Sequence, residues 1–416
     1  MIKHITLLIA IFISTVLIGQ NNQISLNPGY VNQSFYSMQN GEILNISNED
    51  WDIAFSTDAF SSTIRTNDGK GVELYAYSSG DTSAWNNINS NDLNNLTEFM
   101  YNTDTSWEYG AFDINQTGGF DYGWGVYNLQ THHIIGDSIF IIKTINSSWK
   151  KLWVRSKISG DYDIQYANLD GSNLVNTTIE ASNYIAKNFV YYSLNDELVI
   201  DREPDKDDWD ITFTKYMTLY PTTQGTFLPY SVTGVLQNNG IVVAEADNIS
   251  TPLAYTNYSA HTFSNLINTI GFDWKVFQGS YIIIDNLCYF IRDKSNNIWR
   301  LTFTDFDGTT TGNIEFNTEL IASTDIKELS EISNLQTYPN PANRGEDIQI
   351  KYKLLSNQSH GFVKLYDLTG REIYSEELEN NGLTHHNIGT ESLNRGVYFV
   401  SINIDGVVKT DRIIIY

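Results

Sequence analysis

The feature that most limits how this chain folds is an internal duplication. Phe35-Tyr36-Ser37-Met38 precedes Trp51-Asp52-Ile53-Ala54-Phe55, and Tyr191-Tyr192-Ser193-Leu194 precedes Trp209-Asp210-Ile211-Thr212-Phe213 with similar spacing. Further along, Trp124, Phe140, Trp149 and Ile164 recur as Trp274, Phe290, Trp299 and Ile314, each at an offset of 150 residues. The chain has only 9 tryptophans, so chance is a poor explanation for the correspondence. Similar sequence repeated at a fixed period implies a repeated structural unit. Trp51 and Trp124 are 73 residues apart, whereas Trp209 and Trp274 are 65 apart, and a length difference of this kind belongs in loops.

Within each copy, short β-branched and aromatic runs alternate with turn chemistry. In the first copy the runs are Ile134-Ile135, Ile139 to Ile142, Leu152-Trp153-Val154 and Ile164 to Tyr166, with turn residues at Gly136-Asp137, Asn146-Ser147 and Asp170-Gly171. No segment carries a long 3.6-residue period with caps. The expectation is an all-β chain with two tandem antiparallel β domains, at about 22–182 and 184–322. In Trp-Asp-Ile-Ala-Phe the three large apolar residues alternate, which predicts one shared strand face and common burial. Each such ring withdraws roughly 150–250 Å² from water. Asp52 and Asp210 are expected on the other face, towards solvent or towards a turn whose amides they accept.

Composition narrows the functional classes. Asp and Glu outnumber Lys and Arg by 49 to 25, a formal charge of -24 that repels nucleic acid and anionic lipid surfaces. The single cysteine, Cys288, closes no intramolecular disulfide and builds no cysteine zinc site. Met1 to His4 are basic and Ile5 to Ile18 are mostly apolar, so residues 1–19 read as a signal peptide, and no membrane span is expected after its removal. No nucleophile elbow, H-E-x-x-H helix or phosphate loop occurs, and no catalytic residue is assigned. The acidic run from Asp201 to Asp210 lacks the spacing of a calcium loop, so no metal site is assigned either. Aromatics such as Tyr75, Tyr77, Trp85 and Tyr220 have the chemistry to stack on sugars.

After a polar linker at 323–336, the chain reads Thr337-Tyr338-Pro339-Asn340-Pro341-Ala342, where two prolines forbid helix. Strand-like runs then alternate with turns at Asp367-Leu368-Thr369-Gly370, Asn394-Arg395-Gly396 and Asp405-Gly406, which predicts a small β-sandwich over 337–416. Tyr338, Pro339, Asn340, Pro341, the turn at Gly370 and the Gly396-Val397-Tyr398 run resemble the type A C-terminal sorting domain of the type IX secretion system. That resemblance implies the secretion machinery as a partner, and a secreted or outer-surface location.

The duplicated part carries a second resemblance. Trp209 to Phe213, Val232-Thr233-Gly234-Val235-Leu236, Gly271-Phe272-Asp273-Trp274-Lys275 and Tyr289 to Asp293 are similar to the HmuY-like family of surface proteins, as are Trp51 to Phe55, Ile64-Arg65-Thr66-Asn67 and Tyr166 to Gly171. The resemblance implies an all-β fold, with haem held axially between two side chains. Axial ligation needs His or Met on opposite loops over one cavity. The repeats hold only His132, His133 and His261, and neither copy has a separated histidine pair. Adjacent His132 and His133 face opposite ways, so His261 and Met217 form the candidate ligand-binding pair. No cofactor other than haem is suggested. The expected function is a non-catalytic, secreted or cell-surface binding protein for haem or another small ligand. An extracellular hydrolase and a structural or adhesive envelope component are the alternatives.

Overall fold

The short apolar runs form strands joined by brief 3-10 turns, throughout the residues that a computed structural model describes: 19–222, 225–323, 332–354, 361–377, 383–404 and 407–416. Residues 1–18 of the expected signal peptide lie outside this range, as do 324–331 of the linker. The chain divides into two compact units, Met1–Ser323 and Thr324–Tyr416.

The first unit opens with β1 (Gln20–Ser25), β2 (Asn32–Ser37) and β3 (Gly41–Ser47). There follow β4 (Ile53–Ser56), β5 (Ile64–Thr66), β6 (Glu73–Ala76), β7 (Gly125–Asn128), β8 (His133–Gly136), β9 (Phe140–Lys143), β10 (Trp149–Ile158), β11 (Asp161–Asn168), β12 (Val175–Ile179), β13 (Phe189–Ser193) and β14 (Leu198–Ile200). The unit ends with β15 (Ile211–Pro221), β16 (Phe227–Gln237), β17 (Val242–Ala246), β18 (Lys275–Phe277), β19 (Tyr281–Ile283), β20 (Cys288–Arg292), β21 (Ile298–Phe306) and β22 (Asn313–Ala322).

These strands build two sandwiches with the same plan. In the first, the sheet β14-β13-β4-β5 faces β12-β11-β10-β9-β6, and the β7–β8 hairpin lies along β10. In the second, β3-β2-β15-β16 faces β1-β22-β21-β20-β17, and β18–β19 is the corresponding hairpin. Phe55, Trp124, Phe140, Ile164 and Tyr192 fill the first core, and Phe213, Trp274, Leu301, Ile314 and Phe316 fill the second.

The order along the chain departs from the tandem division at 182–184. β13 and β14 complete the first sandwich, which therefore runs without interruption from Trp51 to Ile200, whereas β1, β2 and β3 complete the second. Tyr191 pairs with Ala54 on β4, and Tyr36 pairs with Ile211 on β15. β1 closes the second sandwich against β22, Gln20 standing opposite Thr318. The physical reason is burial: Ile24, Leu26, Tyr36 and Met38 lie in the second core, and removing them from it would expose Phe213, Phe316 and their neighbours.

Trp51 also departs from the expected alternation. Ile53 and Phe55 point into the first core, but β4 begins only at Ile53, and Trp51 packs on the opposite side with Ala54 and Tyr191, ring centroids 4.9 Å apart. Trp209 likewise lies edge-on to Phe35 at 5.1 Å. Both tryptophans occupy the seam where the outer faces of β14-β13-β4-β5 and β3-β2-β15-β16 meet. Bonds cross this seam from Trp107 Nε1 to the Gln237 carbonyl (2.8 Å), from Arg202 to Gln33 Oε1 (2.7 Å) and from Asn188 to Asn238 Oδ1 (2.8 Å).

The repeated aspartates are buried, and of the two sequence expectations the turn-capping one applies. Asp52 accepts from the backbone N–H groups of Ile145 and Leu194, both at 2.7 Å. Asn67 and Asn238 donate to the carbonyls of Trp51 (3.1 Å) and Trp209 (2.8 Å), repeating one local device in both copies.

The second unit is a separate small sandwich. β23 (Ile332–Tyr338), β24 (Ile348–Leu354) and β27 (Leu383–Ile388) form one sheet, and β26 (Glu372–Glu377), β25 (Gly361–Asp367), β28 (Gly396–Ile404) and β29 (Val407–Ile415) the other. Ile348, Tyr352, Leu365, Val400 and Ile413 are in its core.

Candidate functional site

The site begins at a close approach between backbones. A Cβ on Gly69 would stand 2.3 Å from the Lys215 carbonyl oxygen, so only glycine lets the turn after β5 lie against β15. Ser231 on β16 fixes the contact by donating to the Gly69 carbonyl at 2.8 Å. Asp68 and Lys70 of the first sandwich are thereby set beside Lys215 and Met217 of the second.

On the solvent side this junction forms a groove of about 660 Å³, lined by Glu49, Lys70, Glu73, Tyr75, Phe99, Lys215, Met217 and Ser231. Asp68, Gly69, Lys215 and Met217 also line an inner cavity of about 70 Å³ in the seam, with Trp51, Trp107, Trp209, Tyr191, Tyr216, Arg65 and Glu203 around it. The cavity has room for water but not for an organic ligand, so the groove is the part able to receive one.

The charged groups Arg65, Asp68 and Glu203 of the inner wall are hydrogen-bonded, whereas Thr66 Oγ1, Trp209 Nε1 and the Tyr216 hydroxyl are buried there without a partner among the described residues. Arg65 donates to the carbonyls of Thr103 (3.0 Å), Ser106 (3.0 Å) and Tyr109 (3.3 Å), with its guanidinium 5.0 Å from the centre of the Trp107 ring. Asp68 accepts from the Asn102 N–H at 2.7 Å. Burial raises its pKa to about 6, against the lowering effect of that bond and of Arg65. Glu203 accepts from the Tyr191 hydroxyl at 2.9 Å and the Asn188 N–H at 3.1 Å, and burial raises it to about 7. These bonds lie within the first sandwich, and Asp68 reaches the second by accepting from the Met217 backbone.

The groove wall presents ligand-facing chemistry. Lys70 pairs with Glu49 at 2.6 Å and Lys143 with Glu73 at 2.8 Å. Tyr75 donates to Glu73 Oε2 at 3.0 Å. Half-exposed rings follow one another from Trp149 to Tyr75 (6.1 Å between centroids), Phe99 (6.1 Å) and Tyr101 (5.8 Å).

The structure does not bring Met217 and His261 together. Met217 lines the groove. His261 belongs to a loop packed on the outer face of the β17-β20 sheet, where its Nε2 is 3.0 Å from the Tyr255 hydroxyl and its ring lies 6.1 Å from Phe290. The two surroundings share no residue. His132 sits in the turn before β8, with its Nδ1 2.7 Å from the Tyr127 hydroxyl, and Met38 and Met100 are core residues. Among the described residues no group of three or more His, Cys, Asp or Glu is gathered as a metal ion would require.

No local sequence motif marks Lys70, Glu73, Phe99 or Lys215. Their one advance signal was the aromatic pair Tyr75 and Tyr77, because the groove unites segments far apart in the chain.

In the C-terminal unit, Asn340 ties the proline segment to the last strand. Its amide donates to the Arg412 carbonyl at 2.6 Å and its Oδ1 accepts from the Ile414 N–H at 3.1 Å. Pro339 and Pro341 follow cis peptide bonds on either side of it, and Tyr338 is exposed. Gly370 takes the left-handed conformation (φ +80°) that closes the β25–β26 turn, while Gly396 opens β28 opposite Ile415.

A small sandwich clipped in this way defines a class of C-terminal appendage. Residues 336–416 match the family described as the secretion system C-terminal sorting domain. This part of the chain is a type IX sorting domain, which directs the protein to the outer surface or the extracellular space. It also implies interaction with the type IX machinery. No protein of curated function matches the chain. Solved structures with some likeness include a polysaccharide lyase (8% identity, TM-score 0.18, 89% of this chain and 40% of that one). Others are dimeric latent PorU from Porphyromonas gingivalis (11%, 0.17, 68% and 31%) and the BSP domain of a biofilm associated protein (9%, 0.18, 82% and 75%). The chain spans less than half the length of the first two, and likenesses this distant bear on neither its fold nor its activity. No helix among the described residues is long and apolar enough to cross a membrane.

Proposed function

We propose that the exported chain is a non-catalytic binding protein whose ligand site is the groove between the two sandwiches. The observation that supports this most directly is the groove itself: about 660 Å³ of open space where rings, ammonium groups and carboxylates from both sandwiches converge. Its carboxylates Glu49 and Glu73 are engaged with Lys70 and Lys143, an arrangement suited to holding a ligand rather than to moving protons. The HmuY-like resemblance over 22–322 agrees with a binding role. Haem is the ligand that resemblance implies, but Met217 has no histidine beside it in the groove lining, so the reading favours an organic ligand without axial ligation.

A ligand screen against the full mature protein, followed by amide hydrogen exchange with each hit, tests the proposal. Slowed exchange at residues 68–75 and 215–217 is expected. Hits that protect only other surfaces, or a haem titration that shifts the Soret band and is abolished by His261→Ala, would replace this reading.

A further inference from the structure

We infer that the ligand of the groove is a saccharide chain, stacked along the run of rings from Trp149 through Tyr75 and Phe99 to Tyr101. The inference rests on the groove reading above and adds the ligand's chemistry. Four rings follow one another at 6.1, 6.1 and 5.8 Å, and all four are only half-buried. A core aromatic cluster closes upon itself. Here Tyr75 and Phe99 line the groove, Tyr101 continues the run beyond Phe99, and Trp149 anchors its other end by packing on the buried Ile139 and Ile141.

The negative face of an aromatic ring attracts the weakly positive C–H face of a pyranose, and the apolar contact adds to this. Successive platforms suit successive sugars of one chain. The partly exposed Glu49, Glu73 and Lys143 supply acceptors and a donor for a sugar's hydroxyls, whereas Lys70 is buried against Glu49 and the Tyr30 carbonyl. Lys215 has no carboxylate within ion-pair distance among the described residues. Its backbone lies against Gly69, and the residue is part of the groove lining. A flat aromatic ligand would use one ring, and a peptide added to the outer edge of β16, beside Ser231, would leave the rings beyond the groove unused. A row of rings with a polar rim suits a polyhydroxylated chain.

The test is affinity electrophoresis and calorimetry of the full mature protein with laminarin, xylan, mannan and polygalacturonate. At least one should bind, and Phe99→Ala and Tyr101→Ala should each weaken it roughly tenfold, the effect of losing one ring contact. Tyr230→Ala, at an exposed ring outside the run, should leave binding unchanged. Should a ring variant fail to fold, amide exchange of the unaltered protein with the bound polysaccharide decides instead, with protection expected at 73–76 and 99–101. If none of the four binds, the saccharide inference falls, and hits from the general screen that protect 68–75 and 215–217 would leave the groove reading standing. If a polysaccharide binds but protects only other surfaces, or if both ring variants bind it normally, the saccharide is not held in the groove and the inference falls too.

Discussion

Asp210 Oδ2 accepts a hydrogen bond from the backbone N–H of Met38 at 2.7 Å, across 172 residues of chain. Asp52 does the same for Leu194. Each Trp-Asp-Ile strand thus grips the end of the strand that completes its sheet, and the aspartate is the means by which it does so.

Removing either carboxylate leaves buried amides without partners. Asp52 serves two of them, so Asp52→Ala should lower unfolding stability by about 3 kcal/mol, at about 1–3 kcal/mol per orphaned group. Asp210→Ala should cost about half as much. Denaturant midpoints of the two variants give the comparison, and equal or negligible losses would contradict the capping role.

Deleting residues 20–47 should abolish cooperative unfolding of the second sandwich. The deletion strips β1 to β3, exposes the edges of β15 and β22 and opens the core around Phe213 and Phe316. Calorimetry should show one lost transition, with the first sandwich (Trp51 to Ile200) retained. A truncated protein that melts like the parent would refute the closure described above.

Stability should fall as pH rises from about 4.5 to 7. Glu203 titrates near 7 in the fold against 4.5 as an ordinary glutamate, and Asp68 and Asp210 near 6 against 3.8. The folded protein therefore holds protons that the unfolded chain releases, and the stabilisation present below the ordinary values is lost as each folded pKa is passed. Lys275, depressed to about 7, and Lys157, to about 8, stay charged in both states until the top of this window, and above it their titration acts in the opposite sense. The thermal midpoint should be higher at pH 4.5 than at pH 6.5, and Glu203→Gln should flatten the curve. A midpoint that rises over the same interval would be inconsistent with these buried acids.

Gly69→Ala should separate the turn from β15, because the added carbon cannot come within 2.3 Å of a carbonyl oxygen. A loss of about 1–3 kcal/mol is expected, as for other overpacked sites, together with weaker ligand binding in the groove. Denaturation and a binding titration on one sample would show whether the two losses travel together.

Removing residues 337–416 should leave the protein on the inner side of the outer membrane in its native cell. Fractionation and immunoblotting of culture medium, surface and periplasm would show it, and export of the shortened chain would count against the sorting role.

Much of this architecture is written in local sequence. Alternation and turn chemistry locate most strands, the matched tryptophans announce two equivalent cores, and the Tyr-Pro-Asn-Pro segment marks the sorting domain. The partner of each strand is not local. Phe35 to Met38 and Tyr191 to Leu194 are near-copies, so nothing in either tells which Trp-Asp-Ile strand it joins; pairing is settled by cores assembled from distant segments. The groove was hidden for the same reason, since Tyr75, Phe99 and Met217 meet only after both sandwiches have formed. His261 and Met217 looked suitable by type and copy, yet a shared copy does not imply a shared surface.

Because Gln20 is bonded opposite Thr318, the second sandwich is shut like a clasp by its earliest and latest strands. A ribosome or a translocation pore delivering the chain from its front end must pass some 300 residues before that clasp has both halves. The first sandwich, continuous from Trp51 to Ile200, can close well before that, so the two cores are completed at different times as the chain emerges.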